Sequence, residues 1–282
     1  MPELPEVETI ARTLAPQVLD RVISAARVLL PKTLEAGHAL VPELFPGARI
    51  HAVRRRGKLL LMDLAASGGE KATHIMAFHL KMTGRLFVHP ADAAPLKHTR
   101  MVFDLAGTAA AAPARLFFDD ARTFGYCRLM RPEDLSQWSF WAKLGPEPLT
   151  LEPEVFAAAL AGKRGAVKAL LLDQTVVAGI GNIYADEACF RAGVNPSAPA
   201  MSLSGKQKTL LLDSVKAVLR ESIEECGSSI RDYRDANGDA GAFQNLFRVY
   251  GRAGQACLAC GAALEKCVVA GRTTVFCPRC QK

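Results

Sequence analysis

Residues 257–280 read CLACGAALEKCVVAGRTTVFCPRC, two C-x2-C pairs separated by sixteen residues at the end of a 282-residue chain. This spacing brings the thiolates of Cys257, Cys260, Cys277 and Cys280 to one tetrahedral ion, and four sulfur ligands select zinc. With every ligand supplied by protein, no position is left for water, so a single Zn2+ here is structural rather than catalytic. Between the pairs, VVAGRTTVF predicts a strand, a tight turn at Gly271 and Arg272, and a second strand. The metal would hold this hairpin and present Arg272, whose forked guanidinium suits a phosphate. An arginine at a hairpin tip is also commonly just solvated, so the residue alone names no partner. Cys127, Cys189, Cys226 and Cys267 are scattered and follow no such spacing.

Upstream of the cluster the periodicity is helical, over 153–161, 166–172, 181–191 and 204–226, the last with Leu211, Ser214, Val215, Val218 and Leu219 on one face. Within DQTVVAGIGNIYADEACFRAGVNP (173–196), Gly179 and Gly181 make a turn before a helix that opens at Asn182. The free N–H groups of such a helix start suit an anion, a DNA phosphate among them. Residues 131–152 are rich in Pro, Glu and Gly and read as a connection. Before them the signal is of short strands, over 49–54, 58–64, 73–80, 84–89, 99–105, 114–119 and 124–130. The stretch AGTAAAAPA (106–114) is too poor in packing side chains for core and predicts a surface hairpin loop.

One helix precedes the strands, over 6–19, with Val7, Ile10, Ala11, Leu14 and Val18 at helical spacing and Pro5 suited to the first turn. Pro16 is expected to end or bend it. The expected fold is therefore α+β: an N-terminal β-sandwich with a flanking helix over 2–131, a linker over 132–152, a helical domain over 153–250, and a zinc-finger β-hairpin over 251–282.

The formal net charge of +7 and pI near 9.1 fit a phosphate-binding face without requiring one, and 50% hydrophobic against 22% charged residues excludes a disordered chain. No apolar run reaches the length of a membrane span. The N-terminus, MPELPEVETI, carries acids where a signal peptide would carry bases. A reducing, cytoplasmic and nucleoid-associated location is expected, and nothing requires more than a monomer.

The N-terminus offers chemistry as well. Methionine before proline is normally trimmed, which would leave Pro2 as a secondary amine with a pKa of about 8, partly unprotonated at neutral pH. Attack on a sugar C1′ gives an iminium that is cationic without an added proton, an electron sink that promotes loss of the neighbouring phosphates. Glu3 and Glu6 lie close enough to move protons. A Met-Pro start alone assigns none of this.

Taken together, MPELPEVET (1–9), RRGKLLL (55–61), HLKMTG (79–84), DARTFG (120–125), LLDQ (171–174), VAGIGNIYADE (177–187), SSIRDYRDANGDAGAF (228–243), VYGR (249–252) and the terminal cysteine pairs resemble the formamidopyrimidine-DNA glycosylase family (Fpg, MutM) in order along the whole chain. The resemblance implies a helix-two-turn-helix in the helical domain and a bifunctional glycosylase/AP lyase. Such an enzyme excises oxidised purines (8-oxoguanine, formamidopyrimidines) from duplex DNA and also acts at abasic sites. It implies Pro2 as nucleophile, Glu3 as acid/base, Glu6 as a second acid near the pocket, and Lys58 and Arg272 on the phosphates beside the lesion. His98, Lys168, Asn182 and Tyr250 match positions on the DNA backbone. Met82, Arg122 and Phe124 match the trio that fills the gap left by an everted base and meets the orphaned cytosine. Loop 228–243 resembles the segment that closes over the everted purine. Two alternatives remain at this level. One is a Nei-type enzyme for oxidised pyrimidines, whose members begin MPEGPE where this chain has MPELPE. The other is a non-catalytic zinc-containing DNA-binding protein.

Overall fold

The computed structural model describes residues 1–35, 47–66, 69, 71–230 and 232–282. The chain forms two compact units, one of Met1–Ala142 with Cys226–Gly241 and one of Lys143–Glu225 with Ala242–Lys282.

The first unit opens with helix α1, Leu4–Val18. Its start is a capping box: the Glu3 side chain accepts from the Glu6 amide, and the Glu6 carboxylate accepts from Glu3 N–H at 2.8 Å. Leu4, Val7, Ile10, Leu14 and Val18, at helical spacing, are all 1% exposed or less. At about 1.5–3 kcal/mol for each fully buried aliphatic side chain, this stripe anchors the N-terminus. Pro16 does not stop the helix at once. It sits in the last turn, and the helix runs two residues further before Leu19 N–H bonds Ala15 O at 2.9 Å.

Among the described residues nine strands follow: β1 Val22–Val28, β2 Leu34–Glu35, β3 Ala48–Arg56, β4 Leu59–Ala65, β5 Ala72–His79, β6 Gly84–Pro90, β7 Thr99–Leu105, β8 Ala114–Asp120 and β9 Tyr126–Met130. All seven expected strands are present, and Leu105 to Ala114 is the expected hairpin loop. They form one hydrogen-bonded sheet in the order β2-β9-β5-β4-β3-β1-β7-β8-β6. Four strands separate β5 from β8, which in a flat sheet is about 24 Å at 4.8 Å per step. Yet the Phe78 ring on β5 meets Phe118 on β8 with centroids 5.3 Å apart, and Phe103 on β7 at 6.1 Å. The sheet therefore folds over on itself, and the sandwich is one sheet with two layers. The turn of the sheet passes through β1, paired with β3 on one side and β7 on the other. Val7, Ile10, Leu14 and Val18 of α1 join Leu60, Met62, Phe78, Phe103 and Phe118 in the core between the layers. On the opposite face, Leu59, Leu61, Ile75, Ala77 and Tyr126 are covered by Trp138 from the segment expected as linker.

The second unit holds α2 Pro153–Leu160, α3 Val167–Leu172, α4 Asn182–Arg191, α5 Gly205–Glu224 and the hairpin β10 Glu265–Val269 with β11 Arg272–Phe276. Helix α5 is started by Ser204, whose hydroxyl accepts from Gln207 N–H while the Gln207 side chain returns to the Ser204 amide. The segment 226–241, expected within the helical domain, belongs instead to the first unit because its hydrogen bonds run to α1. Ala236 N–H donates to Thr13 Oγ1 at 3.1 Å, and Gln17 Nε2 to Asn237 Oδ1 at 3.0 Å. Among the described residues, no helix is long and apolar enough to cross a membrane.

Candidate functional site

In the first unit three of the residues expected at the site lie together at the start of α1. Pro2 is buried behind an exposed Met1, and Glu3 and Glu6 are buried with it. Glu6 joins two segments: one carboxylate oxygen accepts from Glu3 N–H and the other from Ser228 N–H, each at 2.8 Å. The same carboxylate thus fixes the residue after Pro2 and the base of loop 226–241. Tyr233 reinforces the junction, its hydroxyl donating to Cys226 O at 3.1 Å, and burial raises its phenol far above the ordinary range. Gly241 packs where no side chain fits, since a Cβ there would lie 2.2 Å from Gly227 O.

Lys58 occupies the two-residue turn between β3 and β4, in register Arg56 opposite Leu59. Gly57 takes φ +57 there, as the first position of a type II′ hairpin demands of glycine. The Lys58 side chain is buried rather than splayed into solvent. Near it is His79, which the sequence reading passed over. Burial, then the charges of Lys81 and Lys58, lower its pKa to about 3, so the ring is neutral at working pH. Its Nδ1 accepts from Lys81 N–H at 3.1 Å, which leaves the proton on Nε2 and shapes the turn that carries Met82.

Met82, Arg122 and Phe124 are exposed, on the β5–β6 and β8–β9 connections. An exposed methionine and phenylalanine at turn tips have no place in the core, and the Arg122 guanidinium stacks over the Phe124 ring at 5.0 Å. The two turns are tied through the carboxylate of Asp120, which accepts from the Thr83 hydroxyl and from the amides of Arg122 and Gly125. His98 is exposed in the β6–β7 connection, and its carbonyl accepts from Asp120 N–H at 2.9 Å.

In the second unit, Gln174 shapes the glycine turn expected before α4. Its Oε1 accepts from Gly179 N–H and its Nε2 donates to Ile180 O, both at 2.9 Å. Helix α4 then opens with Gly181 as its N-cap and Asn182 in its first turn. The Asn182 amide donates to Thr273 O of the hairpin at 3.1 Å. Tyr250 is half-buried, and its backbone N–H, with those of Arg248 and Val249, is held by the Glu187 carboxylate at 2.8–3.0 Å. Arg272 is exposed at the start of β11.

Lys168 departs from its expected position on a DNA backbone. It has no exposed surface, and its ammonium lies 2.6 Å from Asp186, 2.7 Å from Thr274 Oγ1 and 3.2 Å from Thr273 O. A cation placed this way braces the hairpin from within. Nothing in the spacing of KRGAVKALLL distinguishes a buried lysine from a surface one; Asp186 on the next helix was the partner to look for.

The four cysteines converge, with all four sulfurs within 4.8 Å of one another. Individual pairs are at 4.0 Å (Cys257–Cys280) and 3.4 Å (Cys260–Cys277). A tetrahedron with zinc–sulfur bonds of about 2.3 Å has edges of about 3.8 Å, so the donor set fits a zinc ion. Cys257 and Cys277 pack with Val249, Leu264 and Val275, so the metal would hold a small core as well as the hairpin.

Family models match for the formamidopyrimidine-DNA glycosylase N-terminal domain over residues 1–127, its H2TH domain over 144–234, and the zinc finger found in FPG and IleRS over 254–282. The chain is 44% identical to formamidopyrimidine-DNA glycosylases of Nitratidesulfovibrio vulgaris and Desulfitobacterium hafniense, with all of each chain covered. Among solved structures it resembles the Lactococcus lactis Fpg bound to DNA with an abasic site, at 33% identity, 99% coverage of both chains and a TM-score of 0.89. It matches equally the wild-type L. lactis Fpg (MutM) in complex with DNA containing N7-benzyl-Fapy-dG. The chain belongs to the Fpg (MutM) family.

Proposed function

We propose that this protein is a bifunctional DNA glycosylase/AP lyase that removes oxidised purines, 8-oxoguanine and formamidopyrimidines, from duplex DNA. The observation that carries the reading is Glu6, whose two oxygens hold the residue after Pro2 and the base of loop 226–241 together. A nucleophile and a loop able to cover an everted base share one anchor.

In this reading Arg272, Asn182, Tyr250, Lys58 and His98 engage phosphates, and Lys168 acts from inside by fixing the strand that bears Arg272. As the lesion leaves the stack, Met82 and Phe124 fill the gap, which offsets part of the few kcal/mol that eversion costs, and Arg122 donates to the orphaned cytosine. After Met1 is removed, the Pro2 nitrogen attacks C1′. The bond from C1′ to the base breaks, and its electron pair leaves with the base, which takes up a proton. The Pro2 nitrogen gives up its proton, the C1′–O4′ bond breaks with O4′ taking up a proton, and the iminium that results acidifies the C2′ proton. Its removal expels the 3′ phosphate, and a second elimination expels the 5′ phosphate, leaving a one-nucleotide gap. Glu3 moves protons at the sugar. The zinc ion held by Cys257, Cys260, Cys277 and Cys280 supplies structure alone. The working form is a monomer in the cytoplasm, on nucleoid DNA.

Borohydride trapping on a duplex with 8-oxoguanine opposite cytosine, beside one with thymine glycol, tests this. A covalent adduct on the first, abolished by Pro2→Gly, is expected. Trapping on thymine glycol alone would move the activity to oxidised pyrimidines. Tight binding with no adduct on either would make the chain a binding protein.

A further inference from the structure

The turns that carry Met82 and Arg122 belong to different connections, β5–β6 and β8–β9, yet both take backbone shapes that side chains rarely adopt. Lys81, beside Met82, has φ +51, and Thr123, between Arg122 and Phe124, has φ +56. Such residues persist where the surroundings over-determine them, most of all a β-branched one such as threonine. Each turn also leaves through a glycine that cannot be replaced. A Cβ on Gly84 would lie 2.5 Å from Leu80 O, and one on Gly125 would lie 2.9 Å from Phe118 Cζ and 3.1 Å from Asp120 Oδ2.

What holds both shapes is Asp120, the last residue of β8 and 1% exposed. Its Oδ1 accepts from the Thr83 hydroxyl and, at 3.2 Å, from Arg122 N–H; its Oδ2 accepts from Gly125 N–H at 2.7 Å. Thr83 Oγ1 in turn accepts from Arg122 N–H at 3.1 Å. The Asp120 backbone is fixed as well, its N–H on His98 O and its carbonyl under Arg100 Nε at 2.8 Å. One buried carboxylate thus ties residue 83, next to Met82, to residues 122 and 125, on either side of Phe124.

We propose that Asp120, acting with Thr83, is a specificity-positioning residue: it fixes the offset between the Met82 turn and the Arg122 turn, and the choice of base opposite the lesion depends on that offset. Neither side chain touches DNA in this role. Arg122 can donate to a cytosine edge only if its Cα is held while the long side chain extends, and Met82 must be aligned with it to fill the adjoining gap. Loosening the tie lets the two turns move apart, so cytosine loses a fixed donor while adenine, which gained less from it, loses less. This rests on the reading of Met82, Arg122 and Phe124 given above.

The experiment measures kcat/KM on duplexes with 8-oxoguanine opposite cytosine and opposite adenine, and takes the ratio, in which any general loss of folded or active enzyme cancels. Asp120→Asn keeps the shape but presents an amide N–H2 to a backbone or hydroxyl donor. Thr83→Val removes the hydroxyl with little change in volume, and Thr83→Ser restores it. Arg122→Ala reports on the direct contact. The expected result is a cytosine:adenine ratio reduced about fivefold or more in Asp120→Asn and Thr83→Val, held at the wild-type value in Thr83→Ser, and lost in Arg122→Ala. An unchanged ratio in Asp120→Asn or in Thr83→Val, with Arg122→Ala still losing it, overturns the proposal and leaves the trio intact. An unchanged ratio in Arg122→Ala means that the opposite base is not read there, and the proposal fails with that reading.

Discussion

Replacing Lys168 with methionine should destabilise the second unit by an amount that grows with pH. In the wild type the pair with Asp186 has no exposed surface on either side chain and a separation of 2.6 Å. Burial raises the Asp186 carboxyl to about 6, and Lys168 and the Val275 amide keep it from rising further. Without the ammonium, burial acts with less opposition and the carboxyl titrates higher still. Breaking a buried pair by removing one partner costs about 3–5 kcal/mol. The sign follows from proton counts. An unfolded aspartate ionises near pH 4, so in the wild type this group's contribution is fully present below about 4 and declines as pH rises towards about 6. In Lys168→Met the folded carboxyl keeps its proton above 6, so the deficit relative to wild type widens by about 1.4 kcal/mol per unit until the variant's own titration is passed. Below pH 6 what remains is the loss of the hydrogen bonds to Thr273 O and Thr274 Oγ1.

Urea unfolding of the zinc-loaded protein at pH 6 and pH 9 provides the test. The expected outcome is a larger deficit at pH 9, largely relieved in Lys168→Met/Asp186→Leu, where neither charge is left alone. A deficit below about 1 kcal/mol at pH 9, or one that widens on acidification, would refute the assignment of Lys168 as a buried brace.

Gly241→Ala places a Cβ 2.2 Å from Gly227 O and 2.4 Å from Cys226 O, so the loop 226–241 should lose its seat. Excision of 8-oxoguanine should fall more than cleavage at a preformed abasic site, and an equal fall in both would separate the loop from base recognition. Glu187→Gln turns an N–H2 towards one of the amides of residues 248–250, which should cost about 1–3 kcal/mol in thermal or denaturant unfolding. Metal analysis should give one zinc per chain. Chelation, or Cys277→Ser, should weaken DNA binding by freeing the hairpin; binding that survives full metal removal would contradict this. Affinity for duplex DNA should fall steeply with salt, and Arg272→Ala should make the slope shallower by about 1.

The parts of the fold written in local patterns were legible in the sequence. Cysteine spacing, the stripe of α1 and seven short strands bounded by turn residues all depend on residues a few positions apart. Strand β1 was missed because VISAARV has one fully buried residue, Ile23, and small or polar neighbours; its place at the turn of the sheet comes from pairing with β3 and β7, which no local pattern encodes. The split of 226–241 from the helices was equally hidden, since it follows from bonds to Thr13, Gln17 and Glu6, more than 200 residues away. The candidate site residues expected from the motifs are mostly ones that show a charge or an apolar tip. Those that hold them, Asp120, Thr83, Gln174, Asp186 and Glu187, were not among them, because a buried carboxylate and a surface one look alike in sequence.

Asp186 and Glu187 show what this second group achieves. They are consecutive on α4, so their side chains leave the helix about 100° apart and reach different neighbours. Asp186 accepts from Val275 N–H of β11, and Glu187 gathers the amides of Arg248, Val249 and Tyr250. Asn182, one turn earlier on the same helix, holds Thr273 O. The helix whose N-terminus is proposed to meet a phosphate is thus the reference for two other segments proposed to touch DNA, the strand led by Arg272 and the loop carrying Tyr250. Burying two acids there costs stability, and the raised carboxyls of both residues record it. Apolar residues at these positions would pack without that penalty but would leave the backbone donors of Val275 and of residues 248–250 without acceptors. A duplex presents phosphates at fixed spacing, so contacts placed by three independent loops would each need ordering on binding. Contacts placed by one helix are ordered before the DNA arrives.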